Sequence, residues 1–153
     1  MTKHQPVAVT VEATIAASPE TVYDLVSDIT RMGEWSPETT DAEWIKGADR
    51  AVEGARFKGT NSLGKASWST KPTVTRADRG VAFEFKVPGK SGPTWRYDFE
   101  PVAGGTRVVE SVRQDAPSPA IIRFIQRRNG VTDRPAHLAA GMRTTLANLA
   151  AAV

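Results

Sequence analysis

The chain has 153 residues, of which 40% are hydrophobic and 24% charged, so we expect one domain with a substantial core over residues 1–153. It has no cysteine, which excludes disulfides, thiol catalysis and cysteine-ligated metals, and it has no run of about 18 apolar residues that would cross a membrane. The net charge of +3 is too small to indicate nucleic-acid binding, and no apolar signal segment is visible near the N-terminus, so we expect a cytoplasmic protein.

The first segment predicts a strand followed by a helix. Residues 7–15, VAVTVEATI, alternate between two faces, which is typical of a half-buried β-strand. Ser18 and Pro19 then precede the segment ETVYDLVSDI, whose apolar residues recur at helical spacing. We therefore expect Ser18 to cap a helix that begins at Pro19.

A large ring follows this helix in a segment without a regular period. Residues 31–38 read RMGEWSPE, and we interpret them as a short turn or broken helix that ends at Pro37. Two roles are open to Trp35 in this segment. It either closes the core beneath the first helix or lines the mouth of a cavity.

Six further strand-like runs predict an antiparallel meander. They lie at 40–47, 54–62, 66–76, 81–88, 94–101 and 106–114. Residues opposite each other in a ladder share a face, so turn type and parity predict the register of three hairpins. The predicted pairs nearest the turns are Leu63 with Ala66, Arg76 with Val81, and Pro101 with Thr106. All three registers put the aromatic side chains on one face.

The C-terminal part predicts two helices. A Ser-Pro pair at 118–119 fits a helix start, and an Asn-Gly pair at 129–130 fits a stop. A second start lies at Thr132 or Asp133. Beyond it, apolar residues recur every three or four positions, at Leu138, Met142, Leu146, Leu149 and Val153.

Four segments and the amphipathic C-terminus carry a resemblance to a known family. The segments are ASPETVYDLVSDITRMGEWSPE, GARFKGTN, WSTKPTVTRADRGVAFEFKV and TWRYDFEPVAGGTRVVESVRQ. Over about residues 7–151 the chain resembles the START/Bet v 1-like (SRPBCC) superfamily, which includes polyketide cyclase/dehydrase-like proteins. The resemblance implies an α+β helix-grip fold. This fold has a curved seven-stranded antiparallel sheet around a long C-terminal helix, with two short helices after strand 1.

The resemblance also implies an internal apolar pocket between the sheet and the last helix. By position, the ligand contacts would come from the Trp35 segment, the inner face of the sheet and the C-terminal helix. They are Trp35, Phe57, Asn61, Trp68, Thr70, Phe83, Phe85, Trp95, Tyr97, Phe99, Glu110, Leu138 and Met142.

Glu110 is the most informative polar residue. It shares a face with Val108 and Val112, which would point its carboxylate inward, where an unpaired charge is costly. Tyr97 is its predicted cross-strand neighbour. If the protein is an enzyme, Glu110 and Tyr97 are the candidate catalytic residues, because a buried carboxyl can act as a general acid or base. The alternative is a structural Glu110 that is hydrogen-bonded to Tyr97 or to backbone, or is turned outward by a bulge.

Three other polar residues have a functional and a structural interpretation. Asn61 either orients a ligand group or is a satisfied core amide or an exposed strand-end residue. Glu38 either guards the pocket mouth or is a solvated loop residue or the cap of a neighbouring segment. His137 either faces the pocket or lies on the surface of the last helix. No spacing of histidines or carboxylates indicates a metal site.

Arginines flank the first C-terminal helix at positions 123, 127, 128 and 134. One interpretation is an amphipathic gate that touches an acidic ligand group, an anionic membrane or a protein partner. The other is a solvated helix face above a buried apolar face.

These observations support three functional hypotheses. The first is a carrier that binds a hydrophobic, cyclic or lipid-like small molecule in the cavity. The second is a cyclase/dehydratase-type enzyme that uses the cavity carboxylate. The third is a partner-binding module with a solid core and an exposed apolar patch beside Arg127 and Arg128. We expect no cofactor, no nucleic-acid partner and no stable membrane insertion, and the sequence leaves the oligomeric state open.

Overall fold

The computed structural model describes residues 7–116, 120–131 and 133–153. The strands are β1 (Val7–Ile15), β2 (Thr39–Ile45), β3 (Arg56–Leu63), β4 (Ala66–Thr70), β5 (Thr73–Asp78), β6 (Ala82–Lys86), β7 (Thr94–Val102) and β8 (Gly105–Gln114). The helices are α1 (Pro19–Ser27), α2 (Met32–Trp35), α3 (Ala120–Arg128) and α4 (Arg134–Ala151). A 3₁₀ turn, Ile29–Arg31, joins α1 to α2.

The strands form one curved antiparallel sheet in the order β1-β8-β7-β6-β5-β3-β2, with β4 paired to β3. β4 and β5 are two parts of one bent strand, because β3 continues in the same register from β4 to β5. Pro72 lies in the bend and has no N–H to donate, which ends β4. Counted in this way, the sheet has seven strands around the long C-terminal helix, and the predicted helix-grip fold is confirmed.

The connection from β1 to β2 follows its local sequence signals. The side chain of Ser18 accepts a hydrogen bond from the Thr21 N–H at 3.2 Å, and Pro19 is the first residue of α1, as predicted. Val22 and Tyr23 lie on the buried face of α1. The predicted turn or broken helix at 31–38 is α2 with its flanking turns.

Two of the three predicted hairpin registers are confirmed. Leu63 pairs with Ala66 across a turn in which Gly64 has a φ of +62°, a conformation that glycine adopts without strain. Pro101 pairs with Thr106, so Tyr97 lies opposite Glu110.

The predicted pairing of Arg76 with Val81 is wrong. The ladder extends to Asp78, which pairs with Ala82, so Arg76 lies opposite Glu84. A bulge between Val74 and Arg76 then shifts the register further along the strands. Val81 therefore lies in the turn and is 47% exposed, whereas the sequence predicted that it faces inward. Val74 still points into the core, because the shift moves its partner by two positions and keeps the parity.

The end of α3 and the start of α4 lie at their predicted signals. The N–H groups of Gly130 and Val131 donate to the last carbonyls of α3, and Gly130 has a φ of +84°, so the predicted stop is confirmed. Asp133 caps α4 through the Ala136 N–H at 3.1 Å. The predicted signals at 118–119 and at Thr132 lie outside the described residues.

The apolar stripe of α4 packs against the sheet with one exception. Its buried apolar residues are Leu138, Met142, Leu146 and Leu149. Val153 lies beyond the end of α4 and is exposed, so its predicted place in the stripe is wrong.

Candidate functional site

A pocket of about 700 Å³ lies between the concave face of the sheet and α4. Its walls come from β3, β4, β6, β7 and β8, the end of α2, α3 and the first part of α4. This volume falls in the range of pockets that enclose a drug-sized ligand.

Eleven of the thirteen residues implied as ligand contacts line this pocket. They are Trp35, Phe57, Asn61, Trp68, Thr70, Phe85, Trp95, Tyr97, Glu110, Leu138 and Met142. The rings of Phe57 and Phe85 touch edge-to-face, with 5.2 Å between their centroids. The lining is therefore mainly aromatic on the sheet side.

Phe83 and Phe99 lie outside the pocket lining, contrary to the sequence expectation. Tyr23 of α1 covers both rings edge-on, at centroid distances of 6.3 Å from Phe83 and 5.8 Å from Phe99. These two rings do lie on the buried face of the sheet. They fill the core because α1, and not the cavity, covers that part of the face.

Trp35 combines the two roles that the sequence left open. Its ring is buried and belongs to the core, and it also lines the pocket. Arg31 stacks on the ring, with its guanidinium carbon 4.9 Å from the ring centroid. Asn148 of α4 donates to the Trp35 carbonyl at 2.9 Å. Gly33 lets α2 approach β2, since a side chain there would collide with the Thr40 carbonyl.

Glu110 and Tyr97 form a polar pair within this lining. The Tyr97 hydroxyl donates to Oε2 of Glu110 at 3.0 Å across β7 and β8. Glu110 is only 2% exposed, and its Oε1 has no hydrogen-bond partner within the part of the chain that the structure describes. One carboxyl oxygen is therefore held in place and the other remains unsatisfied.

Burial determines the protonation of this pair. Desolvation raises the pKa of Glu110 to about 8, although the hydrogen bond from Tyr97 opposes the shift. Desolvation, together with the neighbouring Glu110, raises the pKa of Tyr97 well above its ordinary value. At neutral pH both groups are mainly protonated, so Glu110 can donate a hydrogen bond as well as accept one.

Asn61 lines the pocket from β3, whereas Glu110 and Tyr97 line it from β8 and β7. The Thr39 hydroxyl donates to its Oδ1 at 2.7 Å. This bond fixes the amide orientation and directs the Asn61 N–H₂ group away from Thr39.

A second polar group lines the pocket where the loop after α2 meets the start of α4. Glu38, Arg134 and His137 all belong to the lining and are half-buried. The Nε2 atom of His137 lies 4.0 Å from Oε2 of Glu38. Their side chains keep 30% exposure for Glu38 and 34% for His137, so both are partly solvated and partly directed at the pocket.

The sequence interpretation missed Gln114 and Gln126, which are buried and line the pocket. Gln114 was recognisable, because it continues the inward parity of Glu110 and Val112 along β8. Gln126 was not, because the facing of α3 depends on how that helix packs.

The arginines around α3 separate into two sets. Arg123, Arg127 and Arg128 are exposed and do not line the pocket, whereas Arg134 does. Ile121 and Phe124 of α3 are 63% and 52% exposed. The apolar face of α3 is thus only partly buried.

Two further findings concern metal binding and membrane-spanning helices. Across 7–116, 120–131 and 133–153, no three His, Asp or Glu side chains are grouped so as to hold a metal ion. Over the same residues, no helix has both the length and the apolar character needed to span a bilayer.

Solved structures of several proteins share this fold. Ginseng major latex-like protein 151 from Panax ginseng is 11% identical, with a TM-score of 0.73 over 97% of this chain and 98% of that one. The di-domain ARO/CYC protein StfQ of the steffimycin biosynthetic pathway is 14% identical, with a TM-score of 0.72 over 95% of this chain and 50% of that one. At these identities the likeness shows the fold alone.

A closer sequence likeness and a family match show the family. A polyketide-cyclase-like protein from Corynebacterium glutamicum is 30% identical, with a TM-score of 0.62 over 95% of this chain and 90% of that one. No curated protein sequence is significantly similar to this chain. The model of the family described as polyketide cyclase/dehydrase and lipid transport matches residues 6–153, and the chain therefore belongs to that family.

Proposed function

We propose that this protein binds a hydrophobic small molecule, cyclic or lipid-like, in the pocket between the sheet and α4. The observation that carries the proposal is the pocket of about 700 Å³ walled by Phe57, Phe85, Trp68 and Trp95. Burying an apolar ligand against these rings contributes about 25 cal/mol per Å² before the costs of association. Membership of a family described by cyclase, dehydrase and lipid transport supports the same class of ligand.

Polar groups in the lining would set the orientation of the ligand. The protonated Glu110 would donate to a ligand oxygen through its unsatisfied end, while Tyr97 holds the other end. A few polar groups in an apolar pocket are the usual source of specificity.

A bulky residue at the pocket mouth is expected to block binding. Ala140 is exposed and lines the pocket, whereas Ala147, on the same helix, is exposed and does not. Titration with the neutral dye Nile red should show that Ala140→Trp weakens binding by about tenfold or more. The matched control Ala147→Trp should bind as the wild type does. Equal binding by both variants would place the dye outside this pocket.

Native mass spectrometry provides an independent test for the natural ligand. Protein purified from its own host should carry a hydrophobic small molecule that is absent from the Ala140→Trp variant. Its mass would identify the ligand class.

A second candidate function is an enzyme of the cyclase/dehydratase type. The observation that favours it is a buried carboxyl in the lining, with one free oxygen and a pKa of about 8. A general acid is most effective when its pKa lies near the working pH. Glu110 would protonate a carbonyl or hydroxyl of a folded ketone chain, and Tyr97 would position the carboxyl.

Glu110→Gln separates the carrier from the enzyme. If the ligand found is a substrate, this variant should keep its binding within a few-fold and lose turnover by about 10²–10⁴-fold, because the proton is gone. Unchanged turnover would remove the acid/base role. Glu43→Gln, at an exposed position of β2, is the matched control and should turn over normally.

The partner-binding hypothesis has less support. It requires a solid core, and the pocket between the sheet and α4 does not fit that requirement. The single domain over 1–153 and the cytoplasmic location stay predictions from the sequence.

A further inference from the structure

Among the arginines of the described residues, Arg134 is the one that lines the pocket. It is the first residue of α4, is half-buried, and lines the pocket. Its Nε donates to Oε1 of Gln114 at 3.1 Å. No Asp or Glu oxygen of the described residues lies within 4.0 Å of its guanidinium nitrogens. The half-buried Arg56 and five exposed arginines also lack such a partner, but none of them lines the pocket.

This arrangement leaves the Arg134 guanidinium partly desolvated without a carboxylate partner among the described residues. Removing a guanidinium from water without a carboxylate partner is unfavourable. Burial lowers the pKa of Arg134, which reflects this desolvation. The neutral Gln114 amide compensates for one N–H only, and the remaining donors of the guanidinium fork fit a carboxylate.

The acidic neighbour of Arg134 does not take this role. Glu38 is close enough to favour the charge of Arg134, but it makes no ion pair with it within 4.0 Å. Glu38 is itself desolvated, which raises its pKa, and the basic side chain nearest to pairing with it is His137. At this end of the pocket, the lining therefore contains two basic side chains, Arg134 and His137, and one carboxyl, that of Glu38.

The strand geometry relates this end of the pocket to Glu110. Gln114 and Glu110 are four residues apart on the inner face of β8. At about 3.3 Å per residue they are separated by roughly 13 Å along the strand. A molecule that spans both polar groups is therefore elongated, with an apolar body between its ends.

We propose that Arg134 binds the carboxylate of an elongated apolar acid whose body extends along β8 towards Glu110. Gln114 holds the guanidinium in place, and His137 supplies a second donor. This inference rests on the proposed function, since it assigns the ligand class of the same pocket.

The proposed carboxylate site at Arg134 can be tested by displacing Nile red with decanoic acid and with 1-decanol. The two probes have the same chain length and differ in the carboxylate. At pH 7.5, decanoic acid should displace the dye from the wild type at a concentration about tenfold or more below that of 1-decanol. In Arg134→Gln this preference, taken as the ratio of the two displacement concentrations for that variant, should fall to less than threefold. Arg143→Gln, an exposed position of α4 outside the pocket, should keep the preference.

The possible results distinguish the two proposals. Equal displacement by acid and alcohol in the wild type overturns the carboxylate site and leaves hydrophobic binding intact. Failure of Nile red and both probes to bind overturns hydrophobic binding and this inference together. If Arg134→Gln does not fold, Arg134→Lys replaces it. Loss of at least part of the acid preference in that variant supports the site, and an unchanged preference in a folded Arg134→Gln overturns it.

Discussion

Replacing Glu110 by Gln is expected to stabilise the protein at alkaline pH, by an amount that disappears in acid. The carboxyl has a pKa of about 8 in the folded protein, raised by burial from an ordinary value of 4.5. The folded state therefore holds this proton more tightly than the unfolded state. The free energy of unfolding then decreases as the pH rises from about 4.5 to 8, by at most about 1.4 kcal/mol per pH unit.

The expected difference in the free energy of unfolding between Glu110→Gln and the wild type follows from this decrease with pH. Below about pH 4.5 both states are protonated, and Gln, which resembles the neutral carboxyl in shape, should change the stability little. Above pH 8 the wild type contains a buried, ionised carboxylate, and the variant should be more stable by about 3–5 kcal/mol. Tyr97 stays neutral across this range, because its pKa lies well above 10.

Urea unfolding followed by tryptophan fluorescence between pH 4.5 and 9 measures this effect. The Glu43→Gln control, exposed on β2, should follow the pH dependence of the wild type. Parallel stability curves for Glu110→Gln and the wild type would show that Glu110 is solvated and would remove the basis for its proposed role in the pocket.

The second large effect is expected to separate the rings of the sealed core from those of the pocket. Phe83 is fully buried between Tyr23 and Phe85, so Phe83→Ala leaves a closed cavity. We expect a loss of about 3–5 kcal/mol in the free energy of unfolding. Trp68 is half-buried at the pocket wall, and Trp68→Ala enlarges a space that is already open. It should cost about 1 kcal/mol.

Binding of Nile red should show the opposite order. Trp68→Ala removes a ring that would contact the dye, so its affinity should fall by several-fold. Phe83→Ala, measured under conditions where it is folded, should bind the dye as the wild type does. If Phe83→Leu, the milder variant, weakened binding more than Trp68→Ala, the assignment of the two rings would be reversed.

Local signals account for most of the fold that could be predicted. The Ser18 cap, the Gly130 stop and the two confirmed hairpins depend on a few adjacent residues. The error between β5 and β6 has a different origin. The two strands continue to Asp78 and Ala82, so the loop begins and ends later than predicted, and a bulge between Val74 and Arg76 adds a shift that no local turn residue signals.

The site residues also divide into those that local sequence pattern predicted and those that it did not. Parity placed Glu110 opposite Tyr97 and facing inward, because strand side chains alternate strictly. Parity did not separate Phe83 and Phe99 from the pocket. All the inner residues of a strand share one face, and only the neighbouring helix determines which of them contact a cavity.

By itself, the sequence determined the order of the elements and the inner face of every strand except β2. It also placed a carboxyl on that face, because these properties follow from backbone periodicity and local turns. Only the tertiary structure decided which part of the face α1 covers and which part stays open beneath α4. It also decided that Arg134 lines the open part, because helix facing and closure of a cavity depend on contacts between residues far apart in the chain.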